Sequence, residues 1–452
     1  MKVAVLGGGV TGLTAAWKLH CAGHEVRLIE SSQRLGGSVR TEAVDGWLVE
    51  AGPNALQETP ETGSLFAELG LGPERITAEA DAKNRYIVRK GALVAVPMPS
   101  EMAGLISTPL LSFGSKLKVT AELARSPRIR AGDVSVAELV REHFGAEILE
   151  RFVQPLIGGI CAGDAERLSV QHAFPQVWNA EKATGSLVRA GLEASKKRKE
   201  LGLPPPSLVS FRRGLQALPE ALAARLGPKA ILLGAEVESI GPGSGGRWSV
   251  AWGGPGGAGS GSIDRVVAAV PAWGLARLKI GKAGKRVLSG LADVQHPPVA
   301  SVFLGFRRDQ IGHPLDGFGA LVPASEKRSI MGVIFSSSVF PGRAPEGHVA
   351  LTAIAGGALQ ADIALLPRKE LIELVQRDLR DLLGAKGRPV FAHHTLWKRA
   401  IPQYNLGYEA HLEALSACER DHPGLLFGGN ARNGISLPDC ILSGAALAKR
   451  VS

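Results

Sequence analysis

Lys2-Val3-Ala4-Val5-Leu6-Gly7-Gly8-Gly9-Val10-Thr11-Gly12 decides how this chain begins to fold. Its first five residues read as a buried strand and its glycines as a turn. Residues 12–22 carry helical periodicity, and Glu25 to Glu30 reads as a second strand. Strand, glycine turn, helix and strand make a βαβ unit. Gly7, Gly9 and Gly12 fit G-x-G-x-x-G. The first glycine permits a tight turn, the second lets main chain approach a pyrophosphate, and the third allows close helix–strand packing. Gly8, Val10 and Thr11 complete the turn and head the helix, whose N-terminal amides and partial positive charge suit phosphate. Glu30, ending the second strand, can accept hydrogen bonds from a ribose. These features together point to a dinucleotide.

The continuation chooses between dinucleotides. After Glu30 comes Ser-Ser-Gln-Arg34-Leu-Gly36-Gly37-Ser38-Val-Arg40. A second Gly-Gly pair between two arginines brings main chain and positive charge to another stretch of cofactor. An NAD dehydrogenase does not need this. The pattern E-x-x-x-R-x-G-G-x-x-R is similar to that of FAD enzymes of the amine-oxidase-like superfamily. That resemblance implies that Gly52, Pro53, Asn54 and Ala55, after the strand Trp47 to Glu50, lie beside the flavin. Near the other end, Leu425-Leu426-Phe427-Gly428-Gly429-Asn430 is a strand entering a glycine turn. Gly434-Ile435-Ser436-Leu437-Pro438-Asp439-Cys440-Ile441 starts a last helix. This resembles the superfamily's closing flavin motif, in which a helix N-terminus faces the isoalloxazine ring and stabilises negative charge on it.

Five segments, in order, the closing motif among them, resemble the FAD-dependent protoporphyrinogen oxidases of haem biosynthesis. They are Asn84-Arg85-Tyr86-Ile87-Val88, Gln154-Pro155 through Gly163-Asp164, Gly317-Phe318-Gly319-Ala320-Leu321-Val322-Pro323, Trp397-Lys398-Arg399-Ala400-Ile401-Pro402-Gln403-Tyr404, and Asn433 to Ile441. The resemblance implies a porphyrinogen substrate, with six electrons removed in three flavin cycles. It implies O2 as the acceptor and H2O2 as a product. It implies hydride transfer to the flavin and no catalytic side chain. For substrate it implies Arg85 at a propionate, with Leu321, Ile334 and Ile354 on strands against the pyrroles. It also implies that Gly159 approaches the ring and that Asn54 stands at the flavin–substrate junction. For FAD it implies Gly7, Gly8, Gly9, Val10, Thr11, Gly12, Glu30, Arg34, Gly37, Ser38, Arg40 and the turn Gly52, Pro53, Asn54, Ala55. Val237 (by its main chain, at the adenine), Trp397, Asn430, Ile435, Ser436 and Leu437 complete that set. No metal site is expected. The sequence also leaves open a coproporphyrinogen III oxidase of the same family, which needs more cationic contacts than Arg85 offers. An amine oxidase or desaturase on the same fold is a further alternative, as is an FAD-bearing scaffold or nucleic-acid binder.

The fold expected is α/β (α+β overall): a Rossmann-like FAD-binding domain of the amine-oxidase/p-hydroxybenzoate-hydroxylase type, a mixed-sheet substrate domain and an inserted helical subdomain. Residues 1–83, 211–275 and 396–452 are assigned to the first, 84–101, 187–210 and 276–395 to the second, and 102–186 to the third. The chain has 452 residues, 45% hydrophobic and 21% charged, which excludes a mostly disordered polymer. Four scattered cysteines without partners at metal spacing read as buried apolar groups. The net charge of +10 is spread along the chain, with one run at Lys196 to Lys199 read as a solvated helix face, and no nucleic-acid motif accompanies it. Residues 84–96 read as a hairpin turning at Lys90-Gly91. Leu187 to Leu201 reads as an amphipathic helix, and Gly253 to Ser262 as a long hairpin loop. No run is long enough to span a bilayer. The apolar stretch Met102 to Leu111, followed by Lys116, Lys118, Arg125, Arg128 and Arg130, reads as an interfacial element. The expected location is therefore cytoplasmic, with peripheral attachment to an anionic membrane face. Further partners implied are a neighbouring haem-pathway enzyme and a second copy of the chain.

Overall fold

The computed structural model describes residues 1–82, 84–96, 108–202 and 207–451. Strand Lys2–Leu6 (β1), helix Val10–Cys21 (α1) and strand Glu25–Glu30 (β2) form the expected unit. β1 pairs in parallel with β2 on one side and with Arg265–Ala268 on the other. Ile231–Leu233 and Leu425–Phe427 extend this into a five-stranded, all-parallel sheet. Its central strands, Lys2–Leu6 and Arg265–Ala268, read as short apolar runs because both their faces are buried. α1 covers one face together with the last helix, Leu437–Val451. The first and final segments of the chain therefore lie side by side.

A second sheet has seven strands in the order 391–397, 299–307, 348–356, 332–334, 317–321, 84–89, 92–95. The hairpin expected over 84–96 is its edge. Pairing is antiparallel throughout, except that Gly317–Leu321 runs parallel to Asn84–Arg89. The helix Arg368–Leu383 lays Leu371, Val375, Leu379, Leu382 and Leu383 on one face of this sheet, an apolar stripe at helical spacing. The opposite face is covered in part by Trp47, which packs on Phe303 and Phe391, and its remainder carries the candidate site.

Between 113 and 200 the described chain is helical. Ser135 caps its helix as expected, its hydroxyl accepting from the Glu138 amide at 3.0 Å. A buried ion network holds this insert together. Glu122 and Glu181 flank His143, at 2.9 and 3.0 Å from its two ring nitrogens. Glu122 also accepts from the Ser186 hydroxyl and the Leu187 amide at the start of the next helix.

The structure corrects or refines four expectations. The stretch Gly253 to Ser262 is not all loop: Gly259–Ile263 is a strand paired with Trp248–Gly253. Gly259 and Gly261 leave room for the Trp252 ring to lie across them. The helix Leu187–Glu200 forms where expected and its Lys196 to Lys199 run is exposed as read, but none of its residues is fully buried, Leu187 packing partly buried against the insert's core. Of the apolar stretch at 102–111, residues 102–107 lie outside the described residues, while Leu110 and Leu111 are buried within the insert. Arg130 is no surface cation either. Its side chain is buried against Glu142 and Glu181, because each bond fills a donor of the guanidinium fork.

Candidate functional site

The glycine turn carries its reason in distances. A Cβ on Gly12 would lie 1.9 Å from the Gly7 carbonyl oxygen, so α1 can start this close to β1 only with glycine there. On Gly9 the same atom would meet nothing within 4 Å. That side of the turn is a main-chain cradle. The second glycine pair closes it: the Gly36 amide donates to the Gly8 carbonyl at 2.8 Å, and Gly9 bridges to Gly36. α1 has no side-chain cap and no acid in its first turn. Its free amides and dipole are thus open to an anion. These residues fit the pyrophosphate of a dinucleotide.

The charged residues of this region behave less uniformly. Glu30 stands at the exit of β2, where its carboxylate accepts from the Gly8 amide at 2.6 Å and the Ser32 amide at 2.7 Å. It braces the turn and keeps spare lone pairs for hydroxyls. The Ala235 amide donates to the Glu30 carbonyl at 3.0 Å, which brings Val237, two residues on, to the same edge. Arg34 is tied to its own loop: its terminal nitrogens donate to the carbonyls of Leu35, Gly37 and Val39, which fixes the second glycine pair beside the first. Burial, with Arg40 nearby, pulls its pKa down. Arg40 is exposed and paired with Glu42 at 2.7 Å.

The C-terminal turn meets this cradle from the other side. A Cβ on Gly444 would lie 2.4 Å from the Thr11 carbonyl oxygen, so the last helix packs directly on α1. The Gly429 amide donates to Ser443 at 2.9 Å. The Tyr404 hydroxyl donates to the Asn430 carbonyl at 2.7 Å and accepts from the Gly434 amide at 3.1 Å. The Tyr408 hydroxyl donates to the Ala431 carbonyl at 2.8 Å, and the two rings stack with centroids 4.3 Å apart. These are two of the chain's three tyrosines. Burial raises both phenol pKa values, and their hydroxyls are spent on main chain. They make a prop under the turn, not an aromatic cage for an amine. Ile435 packs between the dinucleotide core and the helical insert, and Leu437 against the α1 core. Ser436 and Asp439 form a capping box, with the Ser436 hydroxyl donating to the carboxylate at 2.6 Å. The helix start expected to be simply positive therefore carries a carboxylate.

The third group of residues is assembled by strand register. Arg85 lies opposite Gly319, Ile87 opposite Leu321, Leu321 opposite Gly332, and Gly332 opposite Ile354. Ile354 lies opposite Ser301, and Val299 opposite Trp397. Directly opposed residues share a face, as do residues two apart along a strand. Arg85, Leu321, Ile334, Ile354 and Trp397 therefore stand on one face of the seven-stranded sheet, the one turned away from Arg368–Leu383. Gly159 arrives over it from the helix Gln154–Cys161, where a Cβ would lie 2.7 Å from Leu321 Cδ2. The Trp397 indole donates to the Ala51 carbonyl at 2.7 Å and so ties the sheet to the Gly52–Ala55 turn. Asn54 folds back on the Gly52 carbonyl at 3.2 Å. Asn54 and Ala55 line one small cleft with Ile334 and Phe318. Pro53 continues the same turn, and Gly52 approaches the Ser38 carbonyl.

Four residues of this site escaped sequence reasoning. Phe318 reaches the cleft, with the Arg85 guanidinium 5.9 Å from its ring centroid. Simple alternation sets it opposite to Leu321; an irregularity between Gly317 and Gly319 changes that. Leu156 and Ile160 share a helix face with Gly159 and are 46% and 53% exposed, more than isolated apolar residues in a helix need be. Glu50 is buried in the same cleft wall, and burial lifts its pKa to about 7. Its position directly before Ala51-Gly52 was the available signal.

Comparison with known proteins places these features in context. The family model for flavin containing amine oxidoreductase matches residues 10–452. Protoporphyrinogen oxidase 2, chloroplastic/mitochondrial, of Arabidopsis thaliana is 33% identical over 483 aligned positions, covering 100% of this chain and 93% of that protein. Coproporphyrinogen III oxidase of Bacillus subtilis is 27% identical, covering 98% and 96%. Among solved structures, one from Exiguobacterium sp. 255-15 superposes with a TM-score of 0.82 at 24% identity, covering 100% and 98%. Putrescine oxidase bound to putrescine superposes at 0.70 with 18% identity, covering 100% and 99%. At those identities the two structures speak for the fold alone.

Proposed function

Because the chain belongs to the flavin containing amine oxidoreductases, and among them is an FAD-dependent oxidoreductase of the protoporphyrinogen oxidase family, we propose that it oxidises protoporphyrinogen IX to protoporphyrin IX with O2 as acceptor. The observation that carries this reading is the single open sheet face. Arg85, Leu321, Ile334 and Ile354 share it, Gly159 stands over it, and the flavin-side turn closes its end. A broad apolar disc with carboxylates at one edge fits such a surface. In this reading Arg85 holds a propionate, and the aliphatic residues orient the ring and exclude water. The cradle of Gly7 to Gly12, with Gly37, Ser38 and Glu30, grips the dinucleotide half of FAD. Asn54, Trp397, Asn430 and Ile435 to Leu437 border its ring. Bound flavin supplies the hydride acceptor and, through its reaction with O2, the turnover. The chain itself contributes position.

We assign peripheral membrane attachment to the helical insert. Phe113 and Leu117 are 83% and 62% exposed on the helix that carries Lys116 and Lys118, and Ile129 of the same insert is 80% exposed. No helix among the described residues is long and apolar enough to cross a membrane. Recovery wholly in the soluble fraction, without retention on anionic liposomes, contradicts this part.

The decisive assay offers protoporphyrinogen IX and coproporphyrinogen III separately to the purified protein and follows porphyrin fluorescence in air. Faster turnover of protoporphyrinogen is expected. Preferential turnover of coproporphyrinogen overturns the substrate choice, and absence of porphyrin from both overturns the reading.

A further inference from the structure

One buried ion pair beside the site is not used in that account. Glu50 ends the strand Trp47–Glu50 and directly precedes the flavin-side turn. Arg343 belongs to the segment between the strands Gly332–Ile334 and His348–Gly356 of the seven-stranded sheet. Their side chains are 3% and 2% exposed, with Arg343 Nη2 3.8 Å from Glu50 Oε1. Each is also tied to other segments. Glu50 accepts from the Thr41 hydroxyl at 2.7 Å and from the Leu215 amide at 2.8 Å. Arg343 donates to the Ser210 hydroxyl at 2.8 Å and the Phe211 carbonyl at 3.2 Å, and its own carbonyl accepts from the Leu48 amide. Both line the small cleft that Asn54, Ala55, Phe318 and Ile334 share.

We propose that Glu50 and Arg343 form a buried charge clamp that positions the Ala51–Ala55 turn against the open face of the seven-stranded sheet. They are positioning residues. Neither is assigned a step in the chemistry, and the inference rests on the reading that this turn borders the flavin. A mere spacer does not need this composition. Arg343 keeps one terminal nitrogen, Nη1, buried without a hydrogen-bond partner, which is costly, and an apolar side chain fills such a space more cheaply. The clamp is also sensitive to protons, since burial holds Glu50 near neutrality at about 7. Among the charged groups of the described residues, the one facing Glu50 is Arg343; Thr41 and the Leu215 amide complete its surroundings. Glu42 stands on the opposite side of the hairpin, paired with Arg40 and His393. Above neutrality the ionised carboxylate completes the pair. Below it the neutral acid loosens the hold on the turn.

The test uses FAD-loaded protein without substrate and follows the visible flavin spectrum from acid to alkaline pH. Wild type is expected to show an inflection near 7. Glu50→Gln is expected to remove it. Arg343→Met is expected to move it to higher pH, because the carboxylate loses its counter-charge. With porphyrinogen present, Arg343→Met is expected to raise KM about tenfold with a smaller change in kcat, and adding Glu50→Gln to change KM little further, because either substitution already opens the clamp. If Arg343→Met does not fold, Arg343→Lys keeps the charge without the fork and is expected to leave the inflection near its wild-type position. The proposal is overturned if Glu50→Gln retains the wild-type inflection, or if the folded Arg343→Met or Arg343→Lys variant departs from its stated behaviour. Because the spectral readout needs no substrate, its failure is distinguishable from failure of the porphyrinogen reading, which shows as wild-type protein that forms no porphyrin.

Discussion

The two faces of the seven-stranded sheet are built from the same strands and nearly the same amino acids, yet they do opposite work. On one face Ala300, Val302, Leu304, Val333, Leu351 and their neighbours are fully buried under the helix Arg368–Leu383. On the other, Leu321, Ile334 and Ile354 are half-buried and belong to no core cluster among the described residues. Part of that second face is filled as well: Trp47 from the Thr41–Glu50 hairpin packs on Phe303 and Phe391. Among the described residues, the portion from Arg85 to Ile354 lies beyond that hairpin and is the part proposed to take a ligand. Hydrophobicity therefore does not distinguish core from site here. The covering element does.

The largest expected contrast comes from truncating one aliphatic side chain on each face. Leu351→Ala removes a fully buried side chain and leaves a cavity, so a loss of about 3 kcal/mol in stability is expected, with KM for porphyrinogen unchanged. Denaturant unfolding with substrate titration checks both halves.

The buried acid on the open-face side comes next. Glu50 is lifted from 4.5 to about 7 by burial. The folded state then holds a proton that the unfolded state has lost, so wild-type stability falls as pH rises from about 4.5 to about 7 and is level above. Glu50→Gln is expected to remove this decline, worth about 3 kcal/mol across the window. Parallel melting curves of the two proteins from pH 5 to pH 8 contradict the assignment if their difference stays constant.

Leu321→Ala and Ile334→Ala are expected to raise KM about tenfold while costing less than about 1.5 kcal/mol of stability, the reverse of Leu351→Ala. Equal stability losses on both faces break the comparison. The smallest effect is expected from Arg34→Lys set against Arg85→Lys. Arg34 serves its own loop, so its replacement is expected to weaken FAD retention without altering KM for substrate, whereas Arg85→Lys is expected to raise KM severalfold.

What the sequence disclosed follows from the range of the interactions involved. The turn at Gly7 to Gly12 is legible because each glycine answers a steric demand set within a few residues. The strands at 299–307 and 348–356 are legible as apolar runs. Phe391–Trp397 was not, because it is half-buried along its whole length and carries His393 and His394 at its centre. That Arg85, Leu321 and Ile354 share a face came only from register, which couples positions more than two hundred residues apart and is fixed in three dimensions. Side-chain partners were equally hidden: Arg34 reads as charge for a cofactor and Arg130 as charge for a membrane, and both spend donors on groups within the chain. The buried His143 network joins residues from four helical segments whose charges, read in order, resemble ordinary surface.

An anaerobic half-reaction tests the central claim, that turns from both chain ends hold a flavin against an open face fitted to a tetrapyrrole. Purified, yellow protein is mixed with protoporphyrinogen IX in the absence of oxygen, and the visible flavin absorbance is followed, then air is admitted. The account predicts bleaching on mixing and, in air, return of the flavin colour with porphyrin fluorescence. A colourless protein that FAD does not reconstitute, or a flavin that stays oxidised through the mixing, contradicts it.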